Sequence, residues 1–490
     1  MDPILIHQPL QSRRQFLRQS GMGLGATAMA TLLPRDGAAA VIEHPHFTPQ
    51  IKRVIFLFMA GAPSQLDLFD YKPDLAKHFQ QPLPPEVRDG QRLTAMTKDG
   101  KHLIQPSMFQ FSQQGECGMW WSNLLPHMAN AVDDLCVIRS MHTDAINHDP
   151  GKTLVNTGSE IPGNPSLGAW LSYGLGSLNR NLPDFIVLTS AFWSGDQQNV
   201  QSLYKRLWGN GFLPSQHQGV LFQSAGDPVL FLSNPSGVTR TSREKMLDLV
   251  TALNRKHAAE IGDPEIHTTI AQQEMAFRMQ ASVPQLSDLS AEPQHVLDSY
   301  GPEVHKSGSY ARNCLLARRM VERDVRFVQV YHRGWDHHVN LPRKMRGQCQ
   351  DIDQPTAALL KDLKTRGLLK DTLVVFGGEF GRTVYGQGTQ SMTDYGRDHH
   401  PRCFTAWLAG GGVQGGIVHG QTDEYSYNIV DKSGQKTTRF EDDAVHVRDL
   451  NATILYLLGI DHNQLTFSFQ GLDHRPTGVK EAHVVEKILV

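Results

Sequence analysis

Apolar residues along this chain fall into two rhythms. Short runs rich in branched and aromatic side chains occur at Val54–Met59 (VIFLFM), Phe185–Leu188, Val325–Val330, Thr372–Phe376 and Phe404–Leu408, with Val137–Ile138 as a shorter candidate. A segment apolar at odd and even positions alike predicts a strand covered on both faces, the signature of an inner strand of a parallel sheet. Helical spacing appears over Asp351–Arg366 and over Arg448–Leu458, the latter closed by Gly459. Strands alternating with helices predict a mostly parallel sheet with helices on both faces. From about 190 to 307 the strand signature stops, and Arg243–Arg255 and Ile266–Met279 carry helical spacing. That stretch reads as a largely helical insertion, a cap over one side of a site. Pro82–Gln114 is polar and punctuated by Pro and Gly, a long surface excursion.

The N-terminus has a different logic. Ser12-Arg13-Arg14-Gln15-Phe16-Leu17 has the twin-arginine pattern, Gly21–Leu33 is a weakly apolar Gly/Ala-rich stretch, and Ala38-Ala39-Ala40 offers small residues for cleavage. The apolar stretch is too short to span ~30 Å of hydrocarbon. The expectation is a signal over 1–40, a single domain over 41–490 without a membrane span, and a periplasmic or extracellular destination. Twin-arginine export carries folded proteins, which suits a site assembled before translocation.

Composition narrows the partners. With 47 Lys and Arg against 49 Asp and Glu, the net charge of −2 gives no electrostatic reason to expect nucleic acid or an anionic membrane as partner. The five cysteines form no CxxC pair, haem site or zinc knuckle, so metal chemistry must come from other side chains. Oligomeric state leaves no mark on the sequence.

In open α/β sheets, ligands bind beyond the carboxyl ends of the strands. The first strand is followed by Asp67, the strand ending near Val330 by Asp336-His337-His338, the strand ending at Phe376 by Glu379 and Arg382, and a later loop delivers Arg397-Asp398-His399-His400. Imidazole and carboxylate together suit a divalent cation, with Zn, Ca, Mn or Fe all open. The plainer reading has Asp336 and Asp398 capping turns and the histidines satisfied by backbone. Arg382 and Arg397 either grip an oxyanion through paired hydrogen bonds or orient a neighbouring carboxylate.

Asp351–Arg382, with its DTLVV strand and acid-bearing glycine loop, resembles the central signature of the alkaline phosphatase and sulfatase superfamily. Arg448–Asp461 resembles that superfamily's closing helix. Gly61–Pro73 (GAPSQLDLFDYKP), Gly378–Arg382 (GEFGR) and Gly396–Pro401 (GRDHHP) resemble one exported branch of it, a domain-of-unknown-function family usually carrying a twin-arginine signal. The resemblance covers Lys52 to Thr477. It implies an alkaline-phosphatase-like fold and a metal-dependent hydrolase of a phosphate or sulfate ester, on a small molecule or glycan, with a metal-activated nucleophile. It places Asp67, Asp336, His337, Glu379, Asp398, His399 and His400 as metal ligands, and His148, Arg382 and Arg397 in the catalytic machinery. Two departures stand out. Phe380 occupies the position where a phosphatase carries a second ligand, and no Cys-x-Pro-Ser-Arg is present. His148 is therefore an added ligand, a nucleophile itself, or a mark of lost chemistry. In the last case the chain is an exported binding protein that keeps the fold.

Overall fold

The VIFLFM run becomes β1 (Arg53–Ala60), every residue of which is buried. The computed structural model describes residues 41–190, 200–223, 228–229, 233–235 and 237–490, apart from Glu43. The expected signal, 1–40, lies outside the described residues.

β1 is covered on both faces, which is why its run is continuous. Ile55, Leu57 and Met59 pack with the helices α5 (Tyr310–Val321) and α6 (Leu341–Thr365). Val54, Phe56 and Phe58 pack with α1 (His148–Thr157), α2 (Leu167–Leu175) and α7 (Val447–Leu457). Each such side chain contributes about 1.5–3 kcal/mol on burial.

The other strands of the main sheet are β2 (Leu135–His142), β3 (Phe185–Ser190), β4 (Val220–Phe222), β5 (Phe327–Arg333) and β6 (Thr372–Gly377). After the pair β7 (Gly381–Gln387) and β8 (Gly396–His400), which stands apart, come β9 (Phe404–Gly410), β10 (Ile417–His419) and β11 (Val445–His446). The nine strands run in the order β10-β2-β9-β6-β1-β5-β3-β4, with β11 also on β2. Among the described residues, β9 is antiparallel to both its neighbours and the other strands share one direction. The sheet is mostly parallel and helix-covered, as its apolar runs predict; the reversal of β9 is not encoded in its own pattern.

The helical insertion is present as α3 (Arg240–Ile261) and α4 (Pro264–Ser287). This pair does not cap the carboxyl ends of the strands. Ala271, Met275 and Met279 of α4 line a cavity with Asp184 and Val220, near the starts of β3 and β4. Gln201, between β3 and β4, reaches the site instead, donating from Nε2 to Asp336 Oδ2 at 2.8 Å. Residues 191–199 of the expected insertion lie outside the described residues.

Candidate metal centre

Three strand ends and the β7–β8 pair supply the site. β2 ends at His142 and the chain re-enters α1 at His148, its first residue. β5 ends at Arg333, and the loop after it carries Asp336 and His338. β6 ends at Gly377, followed by Glu379, and β8 presents His399. Two glycines let these segments approach. Gly61 has φ +113, and a Cβ there would lie 2.6 Å from the Asp336 nitrogen; at Gly151 of α1 a Cβ would meet the Glu379 Cβ at 3.2 Å.

One donor atom from each of His148, Asp336, His338 and His399 lies within 4.8 Å of the others. Asp336 Oδ1 is the centre: His338 Nε2 is 2.8 Å away, His148 Nε2 3.2 Å and His399 Nε2 3.4 Å. Each imidazole is held from behind by its other nitrogen. His148 Nδ1 donates to Glu379 Oε1 at 2.6 Å, His399 Nδ1 to the Ile146 carbonyl at 2.8 Å, and His338 Nδ1 to Gln387 Oε1 at 2.7 Å. Each of these acceptors is an oxygen, so each Nδ1 carries a proton and Nε2 is the atom turned inward toward Asp336. The Nε2 atoms of His338 and His399 are 3.1 Å apart. Two lone pairs at that distance repel unless a cation or a shared proton lies between them.

The charges agree. Burial pushes the Asp336 carboxyl up, but Arg382 and the hydrogen bonds from His148, His338 and His399 outweigh it and hold the carboxyl far below the usual range. Burial works against a charged His148, yet its bonds to Asp336 and Glu379 raise its pKa. His399 is pushed down to about 4, first by burial, with the Arg382 charge adding to it. A divalent ion bound at these nitrogens would displace any proton they carry.

The remaining sequence candidates fall elsewhere. Glu379 sits behind His148 and also accepts from the Gly61 N–H at 2.9 Å, so it orients a ligand and does not join the four. Arg382 Nη2 donates to Asp336 Oδ1 at 2.7 Å and to the Gly61 carbonyl, while Nε donates to the Ala62 carbonyl and Nη1 to that of Arg397. Arg397 is spent on Asp67 and on the Thr383 and Val384 carbonyls. Both guanidinia are engaged with a buried carboxylate, Arg382 with Asp336 and Arg397 with Asp67.

Asp67 accepts from Arg397, Tyr395 and Ser64 and has no room for a cation. Asp398 is held by the hydroxyls of Thr94 and Thr97. His400 Nε2 faces the Tyr427 carbonyl at 2.6 Å. His337 packs against Trp335, outside the cluster. His338 is the residue that sequence reasoning missed. Asp336 and His338 are two apart in an extended loop, which puts them on one side and their neighbour His337 on the other.

The family model described as "Protein of unknown function (DUF1501)" matches residues 51–489. The chain belongs to this family. No curated protein matches this DUF1501 member. Among solved structures it is similar to a phosphonate monoester hydrolase from Silicibacter pomeroyi, at 11% identity and a TM-score of 0.30 over 83% of this chain and 73% of that one. It is also similar to a sulfatase from Pseudoalteromonas sp., at 12% and 0.33 over 84% and 68%. A third is a protein in the alkaline phosphatase superfamily from Vibrio parahaemolyticus, at 10% and 0.34 over 87% and 74%. Likeness this loose decides nothing about the chemistry of the DUF1501 site.

Proposed function

We propose that the chain is a metal-dependent hydrolase of an anionic ester, phosphate or sulfate, with one divalent cation held by His148, Asp336, His338 and His399. The observation that carries the reading is the inward convergence of three imidazole Nε2 atoms on one carboxylate oxygen, each ring locked from behind. Nitrogen-rich donors suit Zn, Mn or Fe; Ca, which takes oxygen ligands, fits them poorly. Such a cation supplies Lewis acidity to an ester oxygen and acidifies water.

The chain's own groups do the rest. Glu379 fixes the His148 tautomer, and Arg382 and Gln201 hold the two Asp336 oxygens, so the donor set is rigid before any ligand arrives. Phe380 lies 4.9 Å from the His148 ring and 4.7 Å from the His399 ring, covering the site with an apolar face that excludes water on that side. His148, with both nitrogens engaged, serves as a ligand and not as the nucleophile.

Metal analysis of the purified protein, with hydrolysis of a panel of phosphate, phosphonate and sulfate esters, tests this. The reading requires about one equivalent of Zn, Mn or Fe, and turnover that disappears with the metal. The saturation of Arg382 and Arg397 favours a second reading, a metal-bearing binding protein without turnover. Stoichiometric metal with no hydrolysis across the panel selects it. The Arg13-Arg14 signal supports an exported destination for either. Retention of the Arg13→Lys/Arg14→Lys variant in the cytoplasm, with the wild type outside it, is the expected fractionation.

A further inference from the structure

Helix α3 packs along α4 through Thr251 and Ala258, which are buried. Its opposite side carries an apolar stripe in the open: Met246 is 54% exposed, Leu249 63%, Val250 37% and Leu253 59%. The spacing i, i+3, i+4, i+7 places all four side chains on one face. Polar residues cover the outside of an ordinary surface helix, so four adjacent apolar ones mark a contact. At 3.6 residues per turn, Lys245 and Lys256 border the stripe on one side and Arg243 borders it on the other. Glu244 and Asp248 lie round toward the far face, and Glu260 follows two turns after Leu253.

We infer that this face of α3 docks on an anionic lipid surface, with the stripe entering the headgroup boundary and the bordering cations meeting lipid phosphates. A basic-bordered amphipathic helix lying in the plane of the interface is the form such binding takes. A second copy is the competing occupant, because the stripe is symmetric about its centre: an antiparallel two-fold pairing sets Met246 on Leu253 and Leu249 on Val250. That pairing also brings Lys245 of one copy beside Lys256 of the other. Like charges at the border of a short stripe oppose it, whereas an anionic surface satisfies both lysines. The net charge of −2 conceals this local patch.

The test is co-sedimentation of the full chain with vesicles of phosphatidylcholine alone and of phosphatidylcholine with phosphatidylglycerol. The variants are Leu249→Glu/Leu253→Glu and Lys245→Gln/Lys256→Gln. The exposed positions leave the core intact, and unchanged thermal unfolding and metal content verify this. The wild type should partition onto the anionic vesicles only, and less at high salt. The leucine variant should bind at least about tenfold more weakly, given the transfer energy of two leucines, and the lysine variant should lose its preference for anionic lipid. Because the variants share every other segment with the wild type, the comparison isolates α3 from any apolar N-terminal residues. Equal binding by the wild type and the leucine variant overturns the inference. So does an absence of binding, and if the unbound protein is then a dimer that Leu249→Glu/Leu253→Glu splits, the face belongs to a second copy.

Discussion

Two buried clusters in this protein have the same ingredients and opposite capacities. Around Asp67, the carboxylate meets Arg397, Tyr395 and Ser64, and the guanidinium is completed by two carbonyls. Around Asp336, the carboxylate meets Arg382 and three imidazoles whose inward nitrogens have lone pairs to offer. Both pair an aspartate with an arginine from the β7–β8 pair. The first is closed, with every strong donor and acceptor consumed, and serves as a structural pin. The second is open, because its three imidazoles turn Nε2 toward a common point where a cation could replace their contacts with Asp336. Convergence of acidic groups is therefore weak evidence of a metal site; unspent lone pairs are what count.

The sharpest way to break that comparison is to remove ligands on the open side. His338→Ala or Asp336→Ala should lower the affinity for the divalent ion by about a thousandfold or more and take ester hydrolysis with it, since three ligands remain and one is charge-imbalanced. Elemental analysis beside circular dichroism checks this, and a variant that keeps stoichiometric metal refutes the assignment.

Next in size is the closed cluster. Burial pushes the Asp67 carboxyl up, but Arg397 and Ser64 hold it below its ordinary value. Asp67→Ala strands a fully buried guanidinium and should cost about 3–5 kcal/mol of stability. Chemical denaturation measures it, and the fraction still folded should bind metal as before.

Smaller again is Glu379→Gln, which keeps the shape but weakens the grip on His148 Nδ1. It should lower metal affinity about 10- to 100-fold without unfolding the protein. If Glu379→Gln abolished binding as completely as Asp336→Ala, Glu379 would belong among the ligands after all.

The smallest effect is acid sensitivity from histidines outside both clusters. Burial pushes His332 down to about 3 and His217 down to about 4. Each is neutral in the fold while its unfolded counterpart takes up a proton near pH 6.5. Their contribution is fully present above about pH 6.5 and is lost as pH falls from there toward the folded values, on the order of 1 kcal/mol per imidazole by pH 5.5. Thermal unfolding against pH should show this slope, and replacing His217 with Gln should flatten part of it.

Much of the scaffold was legible in the chain. Val54–Met59, Thr372–Phe376 and Arg448–Leu458 announce buried strands and a helix because an element covered on both faces, or along one stripe, must be apolar there. The β7–β8 pair was not legible. Its buried residues include Arg382, Arg397, Asp398, His399 and His400, so a loop is the natural reading. Those residues are tolerated inside because most of their polar groups find partners in three dimensions. Likewise the direction of β9 depends on which neighbours it meets.

The amino-acid order determined which segments carry acid and imidazole, and that several of them follow apolar strands. Only the tertiary structure decided which of these groups have lone pairs left to offer. Hydrogen bonds at Ile146, Gln387 and Glu379, remote in sequence from the histidines they lock, select His148, His338 and His399. They leave Asp67, Asp398 and His400 to partners of their own. A side chain's chemistry is local, but its unsatisfied valence is a property of the whole fold.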